Sequence, residues 1–335
     1  VVQAPEKQMS LKILVLRFSS IGDIVLTTPV VRCLKQQKHA EIHYLTKSVF
    51  ASILAENPNI DKLITFEKST DEVLAQLQEE NYDFVVDLHN NIRTMKLKSK
   101  LGVKSASFPK LNVRKWLYVN TKWDVMPDVH VVDRYFKAVE SLGVFSDGKG
   151  LDYFISDADC VDVNQTVPSK FRAGYWVYTL GAQYKTKCLS EDKMADLLKL
   201  IEKPIVLLGG KDDQAPGDRL ASLFPESVIN LAGKLTLNQS ASWLQQSSGV
   251  VCHDTGLMHI ASAFKKNLAV IWGNTTPKIG MYPYLPGAFV KHFQVEDLSC
   301  RPCSKIGFQK CPKKHFKCMN NQDLGAIASF VNQVI

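Results

Sequence analysis

Short apolar runs rich in β-branched residues alternate along the chain with stretches whose apolar positions recur every three or four residues. That is the pattern of strands wound with helices around parallel sheets. In the first half, Leu11 to Arg17, Glu41 to Thr46, Lys62 to Phe66 and Phe84 to Leu88 predict strands. Ile24 to Gln36, Asp71 to Glu80 and His130 to Leu142 predict helices. The alternation lapses between Asp157 and Arg172, where Asp, Asn, Gln, Pro168 and Ser169 gather, and this stretch predicts a link between two domains. It resumes with strands expected at Tyr175 to Leu180, Pro204 to Gly209, Ser227 to Leu231, Gly249 to His253 and Leu268 to Trp272. Helices are expected at Glu191 to Leu200, Gln239 to Gln246 and Gly256 to Phe264, with a last one from Gln322 to Ile335. The expectation is an α/β chain of two Rossmann-like domains, 1–165 and 166–320, with a cleft between them toward which the carboxyl ends of the strands point.

Length agrees with that division, since 335 residues exceed what one hydrophobic core usually serves. A hydrophobic content of 45% and a charged content of 22% exclude a disordered chain. No apolar run reaches the roughly 18 residues needed to span a bilayer, and Val1 to Ser10 lack the apolar core of an export signal. A cytoplasmic location is therefore expected, with Met9 a candidate natural start. The formal charge of +8 is concentrated in two segments free of acidic residues, Arg93 to Lys122 and Arg301 to Lys317. Such segments suit a polyanion, whether nucleic acid, an anionic membrane surface or a phosphorylated substrate, or are solvated lysines. Cys33, Cys160, Cys188 and Cys252 are scattered and read as reduced thiols, whereas Cys300, Cys303, Cys311 and Cys318 cluster.

Neither GxGxxG nor GxxxxGK[ST] occurs, which argues against a dinucleotide oxidoreductase and a P-loop enzyme. The turn after the first strand instead carries Gly22 and Asp23. Gly22 permits a tight turn, and Asp23 is either a helix cap or a carboxylate presented to a substrate. At Asp254-Thr255-Gly256 a strand runs into a helix, where free N–H groups and the positive end of the helix favour phosphate. His259 lies one turn further on the same face as Thr255, although a packed histidine fits as well. Lys185 and Lys187 follow another strand and suit a diphosphate or plain solvation. Asp213, after the Gly209-Gly210 pair, suits ribose hydroxyls or a cap.

Taken together, LKILVLRFSSIGDIVLTTPVVRCLK, AENPNIDKLITF, YDFVVDLHNNIRT, HDTGLMHIASAF and IWGNTTP resemble, in order and over almost the whole chain, glycosyltransferase family 9, the ADP-heptose-dependent heptosyltransferases of the lipopolysaccharide core. The resemblance implies a GT-B fold. Its N-terminal domain would bind the acceptor, its C-terminal domain the donor, and a terminal helix, 321–335, would cross back to the N-terminal domain. By position, Asp23 matches the family's catalytic base, and Asp254, Thr255, Gly256 and His259 match its donor diphosphate motif. Lys187, in preference to Lys185, matches its phosphate-binding lysine. Asp213 matches an acid near the nucleoside, and Leu235 falls where a side chain packs near adenine. The chain departs from the family where Cys188-Leu189-Ser190 replaces the frequent Trp-Pro.

The reaction so implied is inverting, needs no cofactor and no catalytic metal, and uses an ADP-heptose-type donor. Its acceptor is an anionic lipid-sugar of the Kdo-lipid A or heptosyl-Kdo-lipid A type, met through Gly22, Arg93, Lys96 and Lys98 with peripheral contact at the inner membrane surface. Nucleic acid is not an expected partner, for lack of a recognisable motif. The alternatives are a GT-B relative using another nucleotide-sugar, such as a different transferase or an epimerase, and a non-catalytic polyanion- or nucleic-acid-binding protein. Cys300, Cys303, Cys311 and Cys318 are read as a structural zinc site, with His315 as substitute ligand, as packed thiols, or as disulfides.

Overall fold

The structure, a computed structural model, describes residues 11–287 and 289–334; the leading segment with Met9, together with Ala288 and Ile335, lies outside the described residues. The chain divides into two compact units. Unit 1 runs to Lys110 and adds Val132–Lys149; unit 2 comprises Leu111–Val131 and the chain from Gly150 onward.

In unit 1, β1 (Lys12–Leu16), β2 (Glu41–Lys47), β3 (Lys62–Phe66), β4 (Phe84–Asp87) and β5 (Ser105–Ser107) form one parallel sheet in the order β3-β2-β1-β4-β5. Ile13 to Leu16 are fully buried, as expected of a central strand covered on both faces. In unit 2, β6 (Trp176–Thr179), β7 (Ile205–Leu208), β8 (Val228–Asn230), β9 (Gly249–His253), β10 (Asn267–Trp272) and β11 (Val290–Gln294) form a second parallel sheet, ordered β11-β10-β9-β6-β7-β8. Both sheets are doubly wound. The strand order reverses between β1 and β4 in one and between β6 and β9 in the other, and ligands of such sheets bind beyond the carboxyl ends of the strands at that reversal.

All nine expected strands are present within a residue or two of their expected ends. The unanticipated β5 and β11 are edge strands that are short or half-exposed, so neither carries a continuous apolar run. The helix expected from Ile24 to Gln36 is two helices, Ile21–Val25 and Thr28–Lys38. Pro29 lies in the first turn of the second, where its missing N–H has no partner to lose. Beyond Gln239, the helix before β9 begins earlier, at Leu237, because Thr236 and Gln239 cap each other's backbone N–H groups at 3.1 and 3.0 Å.

The boundary between the units differs from the expected link. Residues 157–172 fold as short capped turns of unit 2, and Val161 N donates to Ser242 Oγ at 2.9 Å. Their polar composition serves caps such as Ser156 and Asp162 and not a linker. The last helix, Leu324–Gln333, likewise belongs to unit 2 where a crossing to the first domain was expected. Its Ile327, Ala328 and Val331 share a core with Leu197 and Leu198 of the helix Glu191–Leu200, and Glu202 N donates to Asn332 Oδ1 at 3.0 Å.

Candidate functional site

At the β1 end of unit 1, Asp23 occupies the third position of the helix Ile21–Val25, and both readings of it meet there. Its Oδ2 accepts from Ser20 Oγ at 2.8 Å and from Ser20 N at 3.3 Å, which is the cap. Its Oδ1 lies 2.7 Å from Arg17 Nη2, and the side chain remains about a quarter exposed, at 24%. Arg17 escaped the sequence reading. The signal was an arginine closing an apolar strand, and two of its partners, Leu88 and Tyr135, are far away in sequence. Arg17 Nη1 donates to Leu88 O at 2.6 Å and to the Tyr135 hydroxyl at 3.1 Å, while Nε donates to Ser19 O at 2.7 Å. Burial opposes its charge, yet Asp23 and the surrounding oxygens hold its pKa above the ordinary value. The result is a partly exposed carboxylate oriented by a fixed guanidinium.

His89, just beyond β4, is packed against Phe18 at 5.0 Å between ring centroids. Burial first, and then Arg17 and Lys110, push its pKa down to about 4, so it is neutral near pH 7. Asp87 is fully buried and holds Lys98 Nζ at 2.9 Å, with the N–H groups of His89 and Asn90 at 3.0 and 2.6 Å. Lys98, expected at the acceptor, is held in an internal ion pair and at Ser107 Oγ at 2.7 Å. Arg93 and Lys96, on the same helix Ile92–Leu101, are exposed, and Gly22 is buried within its helix turn. The basic segment Arg93 to Lys122 also spans both units, since it passes into unit 2 at Leu111.

The reversal point of unit 2 brings together residues that the sequence placed on separate loops. Lys187, in the turn Lys185–Lys187 after β6, reaches Asp254 after β9, with Nζ 2.7 Å from Asp254 Oδ2 and 3.2 Å from its carbonyl oxygen. Thr275 Oγ1 donates to the same Oδ2 at 3.0 Å. Lys185 is exposed, whereas Lys187 is held at Asp254. Asp254 therefore orients a lysine and a threonine. Thr255 caps the helix Gly256–Ala263 in extended geometry, and its buried hydroxyl has no partner among the described residues. The same holds for both side-chain polar atoms of Asn274, which the sequence reading passed over although it lies in the quoted IWGNTTP. Buried polar atoms in this condition retain hydrogen-bonding capacity for a ligand or a water. His259 is buried one turn into the helix. His253 accepts Leu189 N–H on Nε2 at 3.2 Å, and burial lowers its pKa to about 4.

Asp213 closes the far side. Its Oδ2 accepts from Gly210 N at 2.8 Å. The carboxylate lies so close over Gly181 and Gly209 that a Cβ at those positions would stand 2.1 and 2.6 Å from Oδ2. Only glycine fits beneath it. Leu235 is half-buried in the loop before the helix Leu237–Gln246.

Cys300, Cys303, Cys311 and Cys318 are all unbridged. Cys303 Sγ donates to Cys300 O at 2.9 Å, and Cys300 Sγ lies 3.8 Å from His315 Nε2. Burial, with Cys300 alongside, pushes the Cys303 thiol up to about 12, and burial pushes Cys318 up to about 11. Asp157-Ala158-Asp159 has the Asp-x-Asp spacing used by many transferases to hold a metal. Here Asp159 Oδ2 instead accepts from Ser156 Oγ at 3.0 Å and Asn238 Nδ2 at 3.1 Å.

Residues 72–311 match the model of glycosyltransferase family 9 (heptosyltransferase). Lipopolysaccharide heptosyltransferase 1 of Campylobacter coli is 24% identical over 290 residues, covering 79% of this chain and 84% of that one. Lipooligosaccharide heptosyltransferase 2 of Haemophilus influenzae is 33% identical over 90 residues, only 26% of either chain. Among solved structures, Escherichia coli heptosyltransferase WaaC with ADP superposes with a TM-score of 0.70 at 21% identity, covering 97% of this chain and 100% of the other. At that identity the likeness is one of fold, and the fold is GT-B.

Proposed function

The chain belongs to glycosyltransferase family 9, and from that premise we propose that it transfers a heptose from an ADP-heptose donor to a hydroxyl of an anionic lipopolysaccharide-core acceptor, with inversion and without a divalent metal at the diphosphate. The observation that carries the reading is the unit 2 constellation. Lys187, oriented by Asp254, stands beside a helix start whose Thr255 hydroxyl lacks a partner among the described residues.

Displacing ADP from an anomeric carbon builds negative charge on the diphosphate and positive charge on the sugar, while the attacking hydroxyl must lose its proton. Asp23 takes that proton as the acceptor oxygen bonds to the anomeric carbon, and the bond from that carbon to the diphosphate oxygen breaks. Lys187, the N–H groups at Thr255 and Gly256, and His259 stabilise the departing ADP. Asn274 and the Thr255 hydroxyl complete the hydrogen bonds to the donor, Asp213 receives ribose hydroxyls, and Leu235 packs on adenine. Arg93 and Lys96 meet anionic groups of the acceptor, a lipid-linked sugar reached from the cytoplasmic face of the membrane.

The test is direct. Purified protein is given ADP-heptose or a panel of other nucleotide-sugars, with and without a Kdo-lipid A-type acceptor, and products are read by mass. A glycosylated acceptor with release of ADP is the expected result. A free epimer of the donor sugar, or turnover only with another nucleotide-sugar, would overturn the proposal.

A further inference from the structure

The segment Leu111–Val131 belongs to unit 2 and is anchored there at its C-terminal end. His130 Nε2 donates to Tyr282 O at 2.8 Å, Val131 N donates to Gly280 O at 2.8 Å, and Lys278 pairs with Asp124. Lys122 Nζ donates to Pro302 O at 2.6 Å, where the second acid-free basic run begins. The helix that this anchor carries, Asn112–Thr121, has ten residues and none of them is buried. Val113 and Trp116 stand on one face at 73% and 61% exposure, Trp123 follows just past the helix at 67%, and Arg114 and Lys122 are exposed between them.

Such a helix contributes no side chain to the core, so its apolar residues have no solvent-side reason to be there. Indole rings set among arginine and lysine, with no carboxylate from Arg93 to Lys122, match the boundary between anionic headgroups and acyl chains. We propose that Asn112–Thr121 with Trp123 is a membrane-docking element, which lays Val113, Trp116 and Trp123 into an anionic lipid surface while Arg114 meets the headgroups. The surface is argued from exposure and charge alone. Its usefulness to the enzyme rests on the lipid-linked acceptor proposed above.

The chain supplies its own probe. Its other tryptophans, Trp176, Trp243 and Trp272, are each 1% exposed, so quenching by lipid reports on Trp116 and Trp123 alone. Full-length protein is mixed with vesicles of phosphatidylglycerol and phosphatidylcholine carrying brominated acyl chains, and with vesicles of phosphatidylcholine only. Quenching by the anionic vesicles, reduced in high salt, is expected. In co-sedimentation, Trp116→Ser with Trp123→Ser should weaken vesicle binding by at least about tenfold, because two large rings no longer leave water. Trp116→Phe with Trp123→Phe should retain most binding, and Arg114→Glu should weaken binding to anionic vesicles selectively. Near-ultraviolet circular dichroism of the buried tryptophans verifies folding. Absence of quenching overturns the proposal, as does equal sedimentation of the serine variant. Light scattering that shows tryptophan-dependent self-association without vesicle binding, or binding to a DNA duplex in place of vesicles, overturns it too. Transfer to a de-acylated, water-soluble acceptor separates the two readings. The serine variant should retain that activity, whereas vesicle docking by a protein with no transfer to any acceptor would sink the proposed function and leave the docking element standing.

Discussion

Replacing Lys187 with methionine keeps the length of the side chain and removes its charge from the 2.7 Å pair with Asp254, whose two members are only 15% and 14% exposed. Two losses then act together on a bound diphosphate. One cation no longer attracts it, and the Asp254 carboxylate, no longer neutralised, repels it. Two unit charges about 4 Å apart interact by roughly 4 kcal/mol at an effective dielectric near 20, and water reaching this partly open site reduces that figure. We expect ADP binding to weaken by about 2–3 kcal/mol, a factor of roughly 30–150. Lys187→Met combined with Asp254→Asn should recover roughly half of that loss, because the repelling carboxylate is gone, so the pair is strongly non-additive. Lys185→Ala, at an exposed position, should change affinity by less than about threefold. Calorimetric titration of ADP into the parent, Lys187→Met, Asp254→Asn, the double variant and Lys185→Ala, each first shown to melt cooperatively, measures all of this. Unchanged affinity in Lys187→Met refutes the reasoning, and so does a double variant weaker than the sum of its parts.

Asp23→Asn should lower kcat by about 10²–10⁴ while ADP affinity stays within a few-fold, since a base acts only in the chemical step; near-normal turnover would return Asp23 to a cap alone. Gly181→Ala puts a Cβ 2.1 Å from Asp213 Oδ2 and must displace that carboxylate. It should weaken ADP roughly tenfold, about 1.4 kcal/mol, yet leave inhibition by inorganic pyrophosphate unchanged, and equal loss of both would place Asp213 away from the nucleoside. A chelator should leave initial rates unaltered, and rescue of a chelated enzyme by magnesium would contradict the charge-based account of the leaving group. His253 and His89 both fall to about 4 in the folded chain from 6.5, so the unfolded chain binds more protons between those values. Stability is therefore full above pH 6.5 and drops as pH falls toward 4, by at most about 1.4 kcal/mol per unit for each group. Urea titrations at pH 7 and pH 5 should show a smaller difference in His253→Asn than in the parent, and an identical difference would remove His253 from the explanation.

Periodicity alone revealed nine strands and the doubly wound character of both halves, because a strand buried on both faces must be apolar throughout, wherever it lies in the chain. Strand-to-helix junctions at Asp23 and at Thr255-Gly256 were legible for a related reason, since caps, tight turns and anion sites are made by neighbours in sequence. Edge strands such as Ser105–Ser107 were not, for they bury too little to leave a pattern. Charge pairing was beyond local reading altogether. Lys98 looked like a surface lysine until the fold set buried Asp87 beside it, and nothing local to Lys187 pointed to Asp254, 67 residues away. Arg17 gained its role from Leu88 and Tyr135, 71 and 118 residues distant. A side chain's burial leaves its trace in the residues next to it, whereas the partner of a charge is chosen by which strand ends the sheet order makes adjacent, and only the tertiary structure contains that order.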